Sequence, residues 1–231
     1  NAKGAALEIK QGADPTGVAL KNGTIWYNNA FNLKGAAKIT GRGSTSATTA
    51  LLVQNSLGTD LTVKLVEDHI WAGGGENSTK GVYFNPNIPT EENFTMPYKF
   101  GVNGKVVATK PLNYQGNLIE DFWIEFKDGK VVDFGAEKQV ESLKSLIEFD
   151  EGSCYLGEVA LISHDSPISN SGILFLNTLF DENASCHLAL GRAYPMNVKG
   201  GTKMSQEELS KAGANNSMAH VDFMFGSEDM N

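Results

Sequence analysis

The sequence predicts an α+β protein, mainly antiparallel β-strands with a few helices. Three observations predict it. Short β-branched and apolar runs recur from Leu51 to Phe225, turn-forming residues stand between them, and only a few short segments carry a helical signal. Residues 1–50 are rich in Gly, Ala, Asn and Thr and read as an amino-terminal segment or linker. Within them Ile25-Trp26-Tyr27 suggests a short strand and Gly41-Arg42-Gly43-Ser44-Thr45-Ser46 a loop. The start, Asn1-Ala2-Lys3-Gly4, has no initiator Met and reads as a piece of a longer chain.

From Leu51 the pattern sharpens. Leu51-Leu52-Val53 and Leu61 to Val66 flank the turn residues Asn55 to Asp60, which predicts a hairpin. A glycine-rich loop, Gly73 to Asn77, precedes a strand over Gly81 to Phe84. Asn85-Pro86-Asn87-Ile88-Pro89 cannot continue a central strand, because proline donates nothing to the ladder. Gly101 to Ala108 carries the hairpin dipeptide Asn103-Gly104. Phe122 to Phe126 and Lys130 to Phe134 flank a second one, Asp128-Gly129. Ala136, Val140, Leu143 and Ile147 recur at spacings of three and four, predicting an amphipathic helix over 135–149. Tyr155 to Ile162 is a strand interrupted by one carboxylate. An apolar run from Phe175 to Leu179 ends at Asp181, residues 184–190 suit a helical turn, and Ser205 suits a helix N-cap followed by acids. Ala219 to Phe225 closes the chain as an alternating strand, and no repeat of 20–50 residues is present.

Composition excludes several classes. The 231 residues are 41% hydrophobic and 20% charged, which suits a globular core and not a disordered chain. Nineteen basic against 27 acidic residues gives a net charge of −8, which argues against nucleic acid or an anionic membrane as partner. No apolar run approaches the roughly 20 residues of a membrane span. Two cysteines, Cys154 and Cys186, make no disulfide framework and suggest a reducing compartment.

Four segments could carry chemistry. Glu158 interrupts Leu156-Gly157-Glu158-Val159-Ala160-Leu161, where a charge is costly unless it is paired, metal-bound or turned to solvent. Asp181-Glu182-Asn183-Ala184-Ser185-Cys186-His187 packs two acids, an amide and an imidazole together, suited either to an ion or to helix capping. In His220-Val221-Asp222 the imidazole and carboxylate project to one face of a strand. They suit a divalent ion such as Zn²⁺ or Co²⁺, or a surface ion pair. Glu91-Glu92 follows a rigid proline turn and by itself reads as a solvated charge pair. Four carboxylates (Glu92, Glu158, Glu182, Asp222) and two imidazoles (His187, His220) are about what two carboxylate-bridged divalent ions need. Cys186 next to His187 does not by itself make a nucleophilic dyad.

Several of these stretches occur together and in order. They are Pro89-Thr90-Glu91-Glu92-Asn93-Phe94-Thr95, Gly157-Glu158-Val159-Ala160-Leu161, Asn177 to Ala184, His187-Leu188-Ala189-Leu190-Gly191 and His220-Val221-Asp222-Phe223-Met224. Together they resemble the aminopeptidase T / aminopeptidase S / PepS family of two-metal aminopeptidases over roughly residues 50–230. The resemblance implies that residues 51–231 are the catalytic domain of a two-domain metallo-aminopeptidase, without the family's α/β amino-terminal domain. It implies a cytoplasmic, usually homodimeric exopeptidase acting on peptides with a free N-terminus through two divalent ions (Zn, Co or Mn). The ligands would be Glu92, Glu158, Glu182, His187, His220 and Asp222, with Glu158 the bridge and Glu91 the alternative to Glu92. Tyr194 would be the catalytic tyrosine, donating to the oxyanion, and Glu91, if not a ligand, would shuttle the proton to the leaving amine. The rival readings are a non-catalytic β-rich binding or interaction module and a different two-metal amidohydrolase.

Overall fold

The computed structural model describes residues 37–40, 50–73, 75–85 and 90–230. The expected strand at 25–27 and loop at 41–46 lie outside these residues. The first strands are β1 (Ala37–Thr40), β2 (Ala50–Gln54) and β3 (Asp60–Leu65), and β2 and β3 form the expected hairpin. Two-residue strands β4 (Glu76–Asn77) and β5 (Tyr83–Phe84) pair with each other, so the strand expected from Gly81 is shorter. Next come β6 (Asn93–Thr95), β7 (Pro97–Val107), β8 (Leu112–Tyr114), β9 (Asn117–Lys127) and β10 (Lys130–Lys138).

The Asn103-Gly104 hairpin does not form; β7 runs straight through it. Gly104 has φ +112° and lies so close to β3 that a Cβ would stand 2.1 Å from the Asp60 carbonyl oxygen. It is glycine to let two strands approach. The Asn103 side chain instead accepts from the Asp128 N–H at 2.8 Å and steadies the neighbouring turn. That turn, Asp128-Gly129, is the expected hairpin, with φ of 48° and 83°, the left-handed pair that a two-residue connection needs.

The helix expected over 135–149 is shorter. Residues up to Lys138 pair with β9, and α1 spans Val140–Ile147 after Gln139 in a left-handed conformation. Ala136 fitted the helical spacing, yet it packs on the core from a strand. Then follow β11 (Leu156–Leu161), the short helices α2 (Pro167–Ser171) and α3 (Thr178–Asp181), and a 3₁₀ turn over Glu182–Ala184. The helical turn expected over 184–190 is mostly strand: β12 covers His187–Gly191. Leu188, Ala189 and Leu190 favour helix locally, but burial between two strands overrides that preference. Helix α4 (Gln206–Lys211) starts at Ser205 with a reciprocal capping box to Glu208, and β13 (His220–Met224) follows.

Among the described residues the strands form two main antiparallel sheets, as the sequence predicted. One has the order β1-β2-β3-β7-β9-β10, with β8 on β9; the other is β13-β12-β11-β6. A shared apolar core joins them, with Leu61, Val102 and Ile124 from the first sheet and Val159, Leu188 and Phe223 from the second. Phe122 and Phe223 meet across it at 5.7 Å. No helix of the described residues is long and apolar enough to cross a membrane.

Candidate metal centre

The second sheet has two unlike faces because strand side chains alternate. Val159, Leu161, Leu188, Leu190 and Phe223 point into the core. The intervening positions, Glu158, His187, His220 and Asp222, therefore share the opposite face. The register brings them abreast: Ala160 pairs with His187, Glu158 and Asp222 both pair with Ala189, and Gly191 pairs with His220. Ala189 and Gly191, carrying little or no side chain, leave room above the sheet for their neighbours' longer side chains. Glu92 enters from the residue before β6, and Glu182 from the 3₁₀ turn after α3.

All six predicted ligands converge. Three overlapping groups, Glu92–Glu158–His187, Glu158–His220–Asp222 and Glu182–His187–Asp222, each hold their donor atoms within 4.8 Å of one another. His187 Nε2 lies 3.2 Å from Glu92 Oε2, 3.4 Å from Glu158 Oε1 and 3.9 Å from Asp222 Oδ1. His220 Nε2 lies 3.5 Å from Asp222 Oδ1 and 3.7 Å from Glu158 Oε2. Each imidazole is oriented from behind. His187 Nδ1 donates to the Glu182 carbonyl at 2.9 Å and His220 Nδ1 to the Arg192 carbonyl at 2.7 Å, which aims both Nε2 atoms at the cluster.

The donors fit a cation. Among the described residues His187 Nε2 and Asp222 Oδ1 are buried with no group in hydrogen-bond geometry, a costly arrangement that a metal ion would relieve. Oxygen and imidazole donors around shared carboxylates suit borderline divalent ions.

The other predicted residues divide. Tyr194 lies beside the cluster, its ring 4.5 Å from that of His220 and 6.3 Å from that of Phe94. Glu91 is exposed; its backbone N–H donates to Asn183 Oδ1 at 2.7 Å and its carboxylate stands outside the three groups. In the 181–187 segment, Asp181 and Asn183 are structural. Asp181 accepts from the Phe175 and Asn177 N–H groups, and Asn183 ties Leu179 to Glu91, so only Glu182 and His187 face the site. The Cys186 thiol is fully buried, shares hydrogen bonds with Ile162, and is pushed up to about 11 by burial.

The family model for thermophilic metalloproteases (M29) matches residues 37–231. The chain belongs to the M29 family. It is 59% identical to "Aminopeptidase 2" of Geobacillus stearothermophilus over 78% of this chain and 44% of that one. It is equally identical to "Aminopeptidase AmpS" of Bacillus subtilis (strain 168), over 79% of this chain and 44% of that one. The solved structure of wild-type AmpT from Thermus thermophilus superposes with a TM-score of 0.74 at 46% identity, covering 78% of this chain and 44% of that chain. The M29 chain thus spans less than half the length of the curated relatives it matches.

The M29 cluster opens on a cavity of about 630 Å³, whose apolar walls include Trp71, Phe94, Leu179 and Met196. Sequence reasoning missed these wall residues, because nothing in their pattern separates them from core residues. Electrostatically the site is a store of protons or cations. Burial pushes Glu158 up to about 7 and Glu182 up to about 9, the negative charge of Asp222 adding to both. Burial opposes protonation of the two imidazoles, but nearby carboxylates outweigh it. His187 rises well above the usual histidine value and His220 rises to about 9. Asp222 is held below its usual value; burial works against this, and His220 and His187 prevail.

Proposed function

We propose that this chain is the catalytic region of a metal-dependent aminopeptidase, with residues 51–231 as the catalytic domain. One observation carries the reading: six donor residues from four separate segments converge, five of them lining a largely apolar cavity, and two of their atoms are buried without a partner among the described residues. The aminopeptidase names of the relatives support it. Two divalent ions (Zn, Co or Mn) would be held by Glu92, Glu158, Glu182, His187, His220 and Asp222, with Glu158 shared. Such ions supply Lewis acidity toward the scissile carbonyl and lower the pKa of water.

The chain's own groups do the rest. Tyr194, pushed up to about 12 by burial and the surrounding carboxylates, stays protonated and donates to the developing oxyanion. Glu91, exposed to solvent beside Glu92, carries the proton to the leaving amine. Carboxylates bordering the cavity favour the free amino end of a peptide, and the apolar walls take its side chain. In the full-length protein this unit works as a cytoplasmic homodimer. The net charge of −8 supports a substrate other than nucleic acid or an anionic membrane.

Elemental analysis with and without chelator, paired with an aminopeptidase assay, tests this. The expected result is two divalent ions per chain and hydrolysis of amino-acid anilides that chelation abolishes and metal restores. Protein that takes up no metal and ignores chelator would favour the binding module. Cleavage of N-blocked peptides at a comparable rate would favour a different two-metal amidohydrolase.

The titrations add a pH signature. Folded, metal-free protein keeps protons on Glu158, Glu182 and His220 that the unfolded chain has released. The carboxylates cost stability as pH rises above their usual 4.5, until they ionise near 7 and 9. The His220 contribution is complete below its usual 6.5 and lost as pH passes through about 9. Metal ions need the same groups deprotonated, so their affinity rises over that window. The Tm of chelated protein is expected to fall between about pH 6 and pH 9, while the increase in Tm given by saturating metal grows. Calorimetry checks both; a pH-independent increment contradicts the assignment.

A further inference from the structure

Three segments beside the cluster are tied together by side chains that touch none of its donors. Asp150 is the first tie. Its carboxylate accepts from the Gly152 and Ser153 N–H groups at 2.8 and 2.9 Å. It also accepts from Ser217 Oγ at 2.8 and 2.9 Å and from the Met218 N–H at 2.7 Å. Asn215 is the second. Its Nδ2 donates to the Gly152 carbonyl at 2.8 Å and the Gly191 carbonyl at 2.6 Å, and its backbone carbonyl accepts from the Ala193 N–H at 3.0 Å.

These ties lead to the site by an unbroken path. Ser217 Oγ accepts from the Ala219 N–H at 2.9 Å, the Ala219 carbonyl accepts from the Arg192 N–H at 2.7 Å, and the Arg192 carbonyl accepts from His220 Nδ1 at 2.7 Å. Ala193, held by Asn215, directly precedes Tyr194. The segments also sit too close for side chains. A Cβ on Gly152 would lie 1.9 Å from the Asn216 carbonyl oxygen, and one on Gly191, at φ +106°, 2.2 Å from that of Ala219. Met218 at the tip of the turn is 83% exposed, while Ser217 and Ala219 on either side of it are buried. The hydrogen bonds of Asp150 and Asn215 tie this turn in place, and with it the start of β13.

We propose that Asp150 and Asn215 are positioning residues that aim His220, and through Ala193 Tyr194, at the metal cluster. They govern the Glu158–His220–Asp222 half of the site. The other half, Glu92–Glu158–His187, has its own anchor in the Glu182 carbonyl. The inference rests on the two-ion reading above, but one arm of its test does not.

Asp150→Asn keeps the shape and turns an amide N–H₂ toward groups that are themselves donors. In metal-free protein, NMR of the histidine side chains should show the His220 Nδ1–H exchanging with water faster than in wild type, while that of His187 is unchanged. Calorimetric titration with Mn²⁺ should show wild type binding two ions. The variant should bind one as before and the other about 10–100-fold more weakly, the usual scale for groups that orient ligands. Ser217→Ala, which leaves Asp150 its backbone partners, should move both readouts the same way by less, and it serves as the test if Asp150→Asn fails to fold. An unchanged His220 Nδ1–H together with two unchanged ions overturns the inference. So does equal weakening of both ions in step with Tm, which is what a merely structural role gives. Wild type that binds no Mn²⁺ defeats the two-ion reading, while the NMR arm still decides whether Asp150 orients His220.

Discussion

Glu158→Gln is expected to abolish peptide hydrolysis and to leave at most one tightly held metal ion per chain. Glu158 belongs to two of the three donor groups and lies within 3.7 Å of both imidazoles, so its loss removes the shared ligand rather than a peripheral one. A catalytic metal supplies several kcal/mol of transition-state stabilisation, so activity should fall by about 10³-fold or more. The fold should not suffer. Burial makes the charged carboxylate unfavourable in the metal-free protein, raising it to about 7, and a neutral amide of the same shape removes that penalty. Metal-free Glu158→Gln should therefore be at least as stable as metal-free wild type near pH 8. Elemental analysis, an anilide assay and thermal unfolding of the chelated proteins measure the three quantities. Full metal content with full activity would rule out the mechanism.

Tyr194→Phe is the second large effect, and it should fall on rate alone. The ring packs against His220 and Phe94, and phenylalanine preserves both contacts. Only the hydroxyl is lost. If it donates to the oxyanion, kcat should fall about 10²–10³-fold, with KM and bound metal little changed. Unchanged kcat would remove Tyr194 from the mechanism. A parallel loss of metal would make its role one of holding His220.

The site was legible in the sequence to an unusual degree, for a local reason. His220 and Asp222 are two apart on a strand, and period-two alternation places them on one face whatever the rest of the chain does. Glu158 stood out because a carboxylate in an apolar strand needs a partner. The 181–187 segment was legible as a cluster but not in its division of labour. Asp181 and Asn183 turn to the backbone while Glu182 turns to the donor cluster, a choice made by N–H groups as distant as that of Glu91. Two of the departures from the expected fold share one cause. Asn103-Gly104 and His187 to Leu190 carry local signals for turn and helix. A neighbouring strand on each side outweighs them, since burial and ladder hydrogen bonds exceed propensities of about 1 kcal/mol or less.

The sequence by itself determined the class, the antiparallel hairpins at Asp128-Gly129 and between β2 and β3, the helix N-cap at Ser205, and a short set of candidate ligands. Only the tertiary structure decided that Glu92, Glu158, Glu182, His187, His220 and Asp222 share one small volume, that Glu92 rather than Glu91 turns inward, and that apolar walls close around them. Alternation, turns and caps are set by neighbours a few positions away, so a linear reading reaches them. Convergence of residues up to 130 positions apart depends on strand order and register, which the buried contacts between sheets fix together.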